Sequence, residues 1–254
     1  MEWMRRRAGS LLGSGLVLGL GWTAAVTTSM PSWYDPSEAC ALKVGGYDNP
    51  GGKADVHTRW FPPAASCDFG NGEVQYMSTT RSTVLSIVGV LILIVLVTGL
   101  VLTVRRFAGA PGVIRPAEGV GLRRRKLNQL TFGAVDVGIA VAVLAFLNAA
   151  AIIFGGLPAG ILFALAAIVG LSALGVVLDR HLGPLPGTTL DSRRRGTVAG
   201  VTVFGVIFVA TALSGQLPFF RLWSVPLGAV AYVAIAAVQW SRLPHLRRDH
   251  EPVD

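Results

Sequence analysis

Residues 83–104 read TVLSIVGVLILIVLVTGLVLTV, with no charged side chain and with Val, Ile and Leu dominant. Crossing the hydrocarbon core of a bilayer takes roughly 20 mostly apolar residues of helix, so this stretch reads as a membrane-spanning helix. Five more apolar stretches flank it, at about 8–28, 131–154, 157–178, 197–214 and 220–240. Charged residues make up 14% of the chain, against about 25% in a soluble domain. The expected fold is an all-α integral membrane protein with six transmembrane helices.

The basic residues set the expected direction. Arg5, Arg6 and Arg7 precede the first span, and Arg105, Arg106, Arg115, Arg123, Arg124, Arg125 and Lys126 separate the second from the third. Arg180, Arg193, Arg194 and Arg195 lie between the fourth and fifth, and Arg242, Arg247 and Arg248 follow the sixth. These are 17 of the 22 Lys and Arg, all on alternate segments. Both termini are therefore expected in the cytoplasm, with residues 105–130 a basic cytoplasmic loop, 131–240 a four-helix region and 241–254 a cytoplasmic tail. The same clusters account for the net charge of +8. They are short and lie at span ends, where they meet anionic lipid head groups, so nucleic-acid binding is not expected. Nineteen Arg against three Lys, with abundant Ala, Gly and Val, suggest a GC-rich bacterial genome and hence a bacterial plasma membrane.

The first span has a rival reading as a signal peptide. Its apolar run of about 21 residues exceeds a usual signal core, and Ala24-Ala25-Val26 is a poor cleavage site. Retention as an anchor is the expectation.

Residues 29–82 form an extracytoplasmic module. Trp33, Tyr34, Tyr47, Trp60, Phe61, Phe69 and Tyr76 fall here, with both cysteines of the chain, Cys40 and Cys67. Two cysteines on an oxidising face argue for a disulfide. A redox pair usually sits closer in sequence, so a structural bridge is expected. It closes a loop worth roughly 3.5 kcal/mol in the chain-entropy model. Val56, Thr58 and Trp60 alternate with polar neighbours as in a half-buried strand. Asn49-Pro50-Gly51-Gly52 reads as a turn, and Phe69-Gly70-Asn71-Gly72-Glu73-Val74 as a hairpin. The expected module is small, β-rich and disulfide-tied, with Trp33 and Tyr34 at the membrane interface. Trp60, Phe61, Pro62 and Pro63 are a candidate partner surface; the competing reading makes them the module's own core. Asp55 and His57 are too few for a metal site.

The run Arg59-Trp60-Phe61-Pro62-Pro63, followed by Cys67, resembles ectodomain segments of uncharacterised small actinobacterial multi-pass membrane proteins. The resemblance implies a lineage and a location between two spans, and carries no activity.

Polar groups inside spans are costly and usually functional. Asp136 in span three is the candidate, about five residues from its expected cytoplasmic start and so roughly 7 Å deep. It reads either as a proton or cation relay, or as a shallow carboxylate paired with Arg123 to Lys126 or reaching water. Asn148 is the second candidate, roughly 120° away around the helix. Gly9 and Gly13, Gly15 and Gly19, and Gly196 and Gly200 are Gly-x-x-x-Gly pairs that let helices approach, expected to serve packing within the chain. Gly155-Gly156-Leu157-Pro158 and Gly215-Gln216-Leu217-Pro218 turn at matching points; two independent turns are favoured over a duplication.

No catalytic, nucleotide or metal motif stands out, so neither an enzyme nor a cofactor is expected. The leading expectation is a non-catalytic accessory, assembly or sensing component presenting its module outside. The alternative is a small transporter or transporter subunit using Asp136.

Overall fold

The computed structural model describes residues 8–32, 35–45, 54–70, 72–107, 112–117 and 120–242. Arg5 to Arg7, Trp33, Tyr34, Tyr47, the Asn49–Gly52 turn, Lys53, Asn71, Arg247 and Arg248 lie outside the described residues.

The main helices are α1 (Ala8–Thr27), α3 (Thr79–Phe107), α4 (Leu122–Leu182), α5 (Thr189–Leu213) and α6 (Ser224–Ser241). Each is long and apolar enough to cross a membrane. Between α1 and α3 lie the short helix α2 (Pro36–Cys40), a π-turn over Ala41–Gly45, and strands β1 (Asp55–Trp60), β2 (Pro63–Asp68) and β3 (Glu73–Gln75).

α4 is two arms rather than one rod. Gly156 leaves the helical region with φ 63° and ψ −162°, a left-handed φ that glycine adopts without a Cβ clash. Arg125 Nε donates to Gly183 O at 2.7 Å across 58 residues, which an unbroken helix would separate by about 87 Å. Val141 and Leu171 likewise share one core cluster. The chain therefore reverses direction within α4, and the break falls in the Gly-Gly-Leu-Pro turn.

The chain folds as two compact units: residues 1–103 with 150–163, and residues 104–149 with 164–254. In the first, α1 and α3 pack through small residues. A Cβ on Gly99 would lie 2.8 Å from the backbone nitrogen of Leu12, and one on Gly89 would lie 3.0 Å from the Trp22 indole. Trp22 Nε1 donates to Leu85 O at 2.7 Å, locking the pair in register. The rest of α3 leaves its apolar side chains exposed, from Val84 through Leu93 and Val97 to Val104, as suits a lipid-facing helix.

The second unit has its core at Val137, Val141, Leu171, Leu178, Val203, Ile207, Tyr232 and Ala236. Gly196 and Gly200 face the backbone of Val176 and Ser172, where an added Cβ would collide. This pair packs helices within the chain. By contrast, a Cβ added at Gly9 or Gly13 would meet nothing within 4 Å among the described residues.

α4 begins at Leu122 and α3 ends at Phe107. The run Arg123 to Lys126, expected in a loop, thus forms the first turns of α4. The two Gly-Leu-Pro turns also differ in build. The first breaks a helix at its second glycine, Gly156. The second follows the end of α5, with Gly215 at φ 66° and a cis Leu217–Pro218 bond.

Candidate functional site

The three strands pair antiparallel in the order β1-β2-β3. In the register Val56↔Cys67, Thr58↔Ala65 and Trp60↔Pro63, these six side chains share one face because strand side chains alternate. On β2 this face is buried and the other half-exposed. The buried face meets α2 through Cys40, which is bonded to Cys67 with a Cα separation of 6.0 Å. Ala54, Val56 and Tyr76 pack around that bridge. α2 is capped by Asp35, whose carboxylate accepts from Glu38 N at 3.0 Å. That bond and one from Ser37 hold Asp35 below the usual carboxylate range. Strands β2 and β3 form the expected hairpin, entered by a bond from Gly70 N to Asp68 Oδ1 at 2.8 Å.

The opposite face of the sheet is polar. His57, Arg59, Ser66, Glu73 and Gln75, with Ser82 at the start of α3, line an open groove of about 780 Å³. Val56, Pro62, Ala64, Ala65 and Met77 line it as well, so the groove presents charge of both signs and hydrogen-bonding side chains beside apolar ones. Sequence reasoning found the strands but not this groove. The signal was present in the residues that alternate with Val56, Thr58 and Trp60.

The Trp60–Pro63 run divides in two. Trp60 packs with Val26, Met30, Ala65 and Met77, and its indole lies 3.3 Å from where a Cβ on Gly156 would stand. Pro63 is buried. Only Phe61, 59% exposed, and Pro62 face outward, at the tip of the β1–β2 hairpin. Each reading of the run thus describes half of it: Trp60 and Pro63 belong to the module's own core, and Phe61 and Pro62 are exposed.

Asp136 lies on the exposed side of α4. The expected pairing with Arg123 to Lys126 does not occur among the described residues, because ten or more helical positions separate them, about 15 Å along the axis. Asn148, on the same helix, is buried and donates from Nδ2 to Pro218 O at 2.9 Å, pinning the turn before α6. The two side chains thus do different work. Among α4, α5 and α6 a small cavity is lined by Val141, Leu171, Phe204, Ile207, Phe220 and Ser224; neither Asp136 nor Asn148 lines it.

A polar cluster not singled out from the sequence lies around the loop 183–187. Asp179 is 2% exposed and bound by Arg195 Nε at 2.9 Å. Arg195 Nη2 also reaches Asp179 Oδ2 at 3.1 Å. Arg115 donates to Arg180 O and to Ser192 Oγ, and its backbone pairs with Gly187 as an isolated antiparallel bridge. Asp179 and Arg180 read as residues flanking a span, and nothing local signals that the carboxylate is buried.

Among the described residues no three His, Cys, Asp or Glu side chains gather as metal ligands would. No protein-family model, curated protein or solved structure matches this chain.

Proposed function

We propose that the chain is a multi-pass protein of a bacterial plasma membrane that crosses six times with both termini in the cytoplasm, and that it acts as a non-catalytic accessory, assembly or sensing component. The observation that carries this reading is the division of polarity. The outer face of the disulfide-tied sheet gathers His57, Arg59, Glu73 and Gln75 around an open groove, while Asn148 is committed to Pro218 O. The six-span reading draws support from the reversal of α4 at Gly156. The basic residues at the end of α3, the start and end of α4, the start of α5 and the end of α6 support the orientation. Arginines at those ends meet anionic lipid head groups.

Two measurements test it. In a Cys40→Ser, Cys67→Ser background, a cysteine at residue 75 should react with a membrane-impermeant reagent in intact cells and one at 120 should not; labelling at 120 sinks the orientation. A photoreactive residue in place of His57 should give a discrete crosslinked product in native membranes, absent when the probe replaces Arg221, an exposed residue between α5 and α6. Purification as a lone polypeptide, with no crosslink from the groove, sinks the accessory role.

A second reading, a small transporter or transporter subunit using Asp136, keeps one observation in its favour. The carboxylate stands on the exposed side of a membrane-length helix without an ion-pair partner among the described residues, and such groups in lipid are costly unless they function.

A further inference from the structure

Resting on the reading that the basic helix ends face the cytoplasm, we propose that Arg115 and Arg125, backed by Arg195, form a site for a phosphate-bearing anion at the inner membrane surface, the head group of an anionic phospholipid being its source.

The argument starts from which acids are already taken. Both oxygens of Asp179 are held by Arg195. Asp191 Oδ2 accepts from Thr188 N at 2.9 Å and from Thr188 Oγ1 at 2.7 Å. The partners of Arg115 are neutral, the carbonyl of Arg180 and the hydroxyl of Ser192. The partner of Arg125 is neutral too, the carbonyl of Gly183. Neither guanidinium has a carboxylate partner among the described residues, and Arg115 Nε is buried with no acceptor.

These cations are also close. A methyl group on Gly187 would lie 2.8 Å from Arg195 Nη2 and 3.7 Å from Arg115 Nη2. Arg115 and Arg125 are both half-buried, and Arg125 Nε meets the same loop at Gly183 O, 2.7 Å away. Partly buried like charges that repel one another favour a bound anion. Planar guanidinium forks match the oxygens of a phosphate group.

The surroundings select lipid over free phosphate. Over the first turns of α4, exposed Arg123, Arg124 and Lys126 alternate with exposed Leu122 and Leu127, and Val120 and Phe132 are exposed on either side. Interleaved basic and apolar side chains suit a surface where head groups and acyl chains meet. A free anion would have no use for the apolar members.

The test uses the full chain, purified in mild detergent and delipidated. Phosphatidylglycerol, phosphatidylcholine or inorganic phosphate is added, and bound lipid is read by native mass spectrometry beside the thermal midpoint. Phosphatidylglycerol should be retained and raise the midpoint; phosphatidylcholine and phosphate should do neither. Arg115→Gln with Arg125→Gln should cut phosphatidylglycerol retention roughly tenfold or more, whereas Arg221→Gln should match the wild type. Both arginines also hold loop carbonyls, so the Gln pair can fail to fold. Arg115→Lys with Arg125→Lys keeps the charges, and lowered retention in that folded protein would support the forked geometry. Rising salt should release phosphatidylglycerol from the wild type itself. Equal retention of both lipids, or a folded Gln pair that binds as the wild type does, overturns the site. Stabilisation by phosphate equal to that by phosphatidylglycerol overturns the lipid assignment. Binding in detergent does not depend on sidedness, so these outcomes are separate from labelling at residue 120.

Discussion

Arg195 holds Asp179 with two nitrogens, Nε 2.9 Å from Oδ1 and Nη2 3.1 Å from Oδ2, and the same Nη2 lies 3.4 Å from Pro184 O. One guanidinium thereby ties the end of α4, the loop after it and the start of α5. Two parallel charge-assisted bonds are among the stronger polar contacts available to a protein. Removing one member of a buried pair costs about 3–5 kcal/mol, whereas replacing both can be neutral. Arg195→Met should therefore lower the thermal midpoint in detergent sharply, and Asp179→Leu combined with Arg195→Met should recover much of the loss. A single variant as stable as the wild type would show that the pair contributes nothing.

The helix crossings give a second expectation. Gly196 and Gly200 press on the backbone of Val176 and Ser172, which cannot move aside as a flexible side chain can. Gly200→Leu should abolish recovery of folded protein by size-exclusion chromatography. The added methyl groups of Gly9→Ala and Gly13→Ala meet nothing within 4 Å among the described residues, and these variants should be recovered as the wild type is. Equal yields for all three would contradict the packing described.

α5 opens with a capping box between Thr188 and Asp191. Thr188→Ala should cost about 1 kcal/mol, read as a lowered denaturant midpoint. The backbone and side-chain bonds from Thr188 hold Asp191 below the usual carboxylate range. A folded pKa below the unfolded one adds stability that is present above the unfolded value, near 3.9, and is lost as pH falls through the folded value. The gap between wild type and Thr188→Ala should thus be constant near neutrality and shrink below about pH 4. A gap that widens on acidification would contradict the capping geometry.

Asp136→Asn removes a charge that has no ion-pair partner among the described residues. Folding and complementation of a deletion strain should stay close to wild type. A well-expressed Asp136→Asn protein that fails to complement would move the transporter reading to first place.

Local signals in the sequence carried far. Apolar runs marked every long helix, Gly155-Gly156-Leu157-Pro158 marked the reversal in α4, and alternation from Val56 to Trp60 marked β1. Two cysteines in one aromatic-rich segment marked the bridge. What was not legible is what distant residues do to one another. Asn148 meets Pro218 across 70 positions, and Trp240 Nε1 meets Gln129 Oε1 at 2.5 Å across 111. Asp179 reads only as a residue at the end of a span, because its burial depends on how the loop 183–187 folds. The Arg123–Lys126 run looked like a loop because charge, which marks the edge of lipid, does not mark the end of a helix.

The bridge between Cys40 and Cys67 also makes the module a covalent lasso. Lys43, Lys53 and Arg59 all lie between the two cysteines. A single tryptic nick after any of them opens the lasso without releasing a fragment. The nicked chain keeps the mass of the intact one, 26.7 kDa plus a water, until a reductant parts the sulfurs. One cut within the loop would leave the portions before and after it travelling as a single molecule.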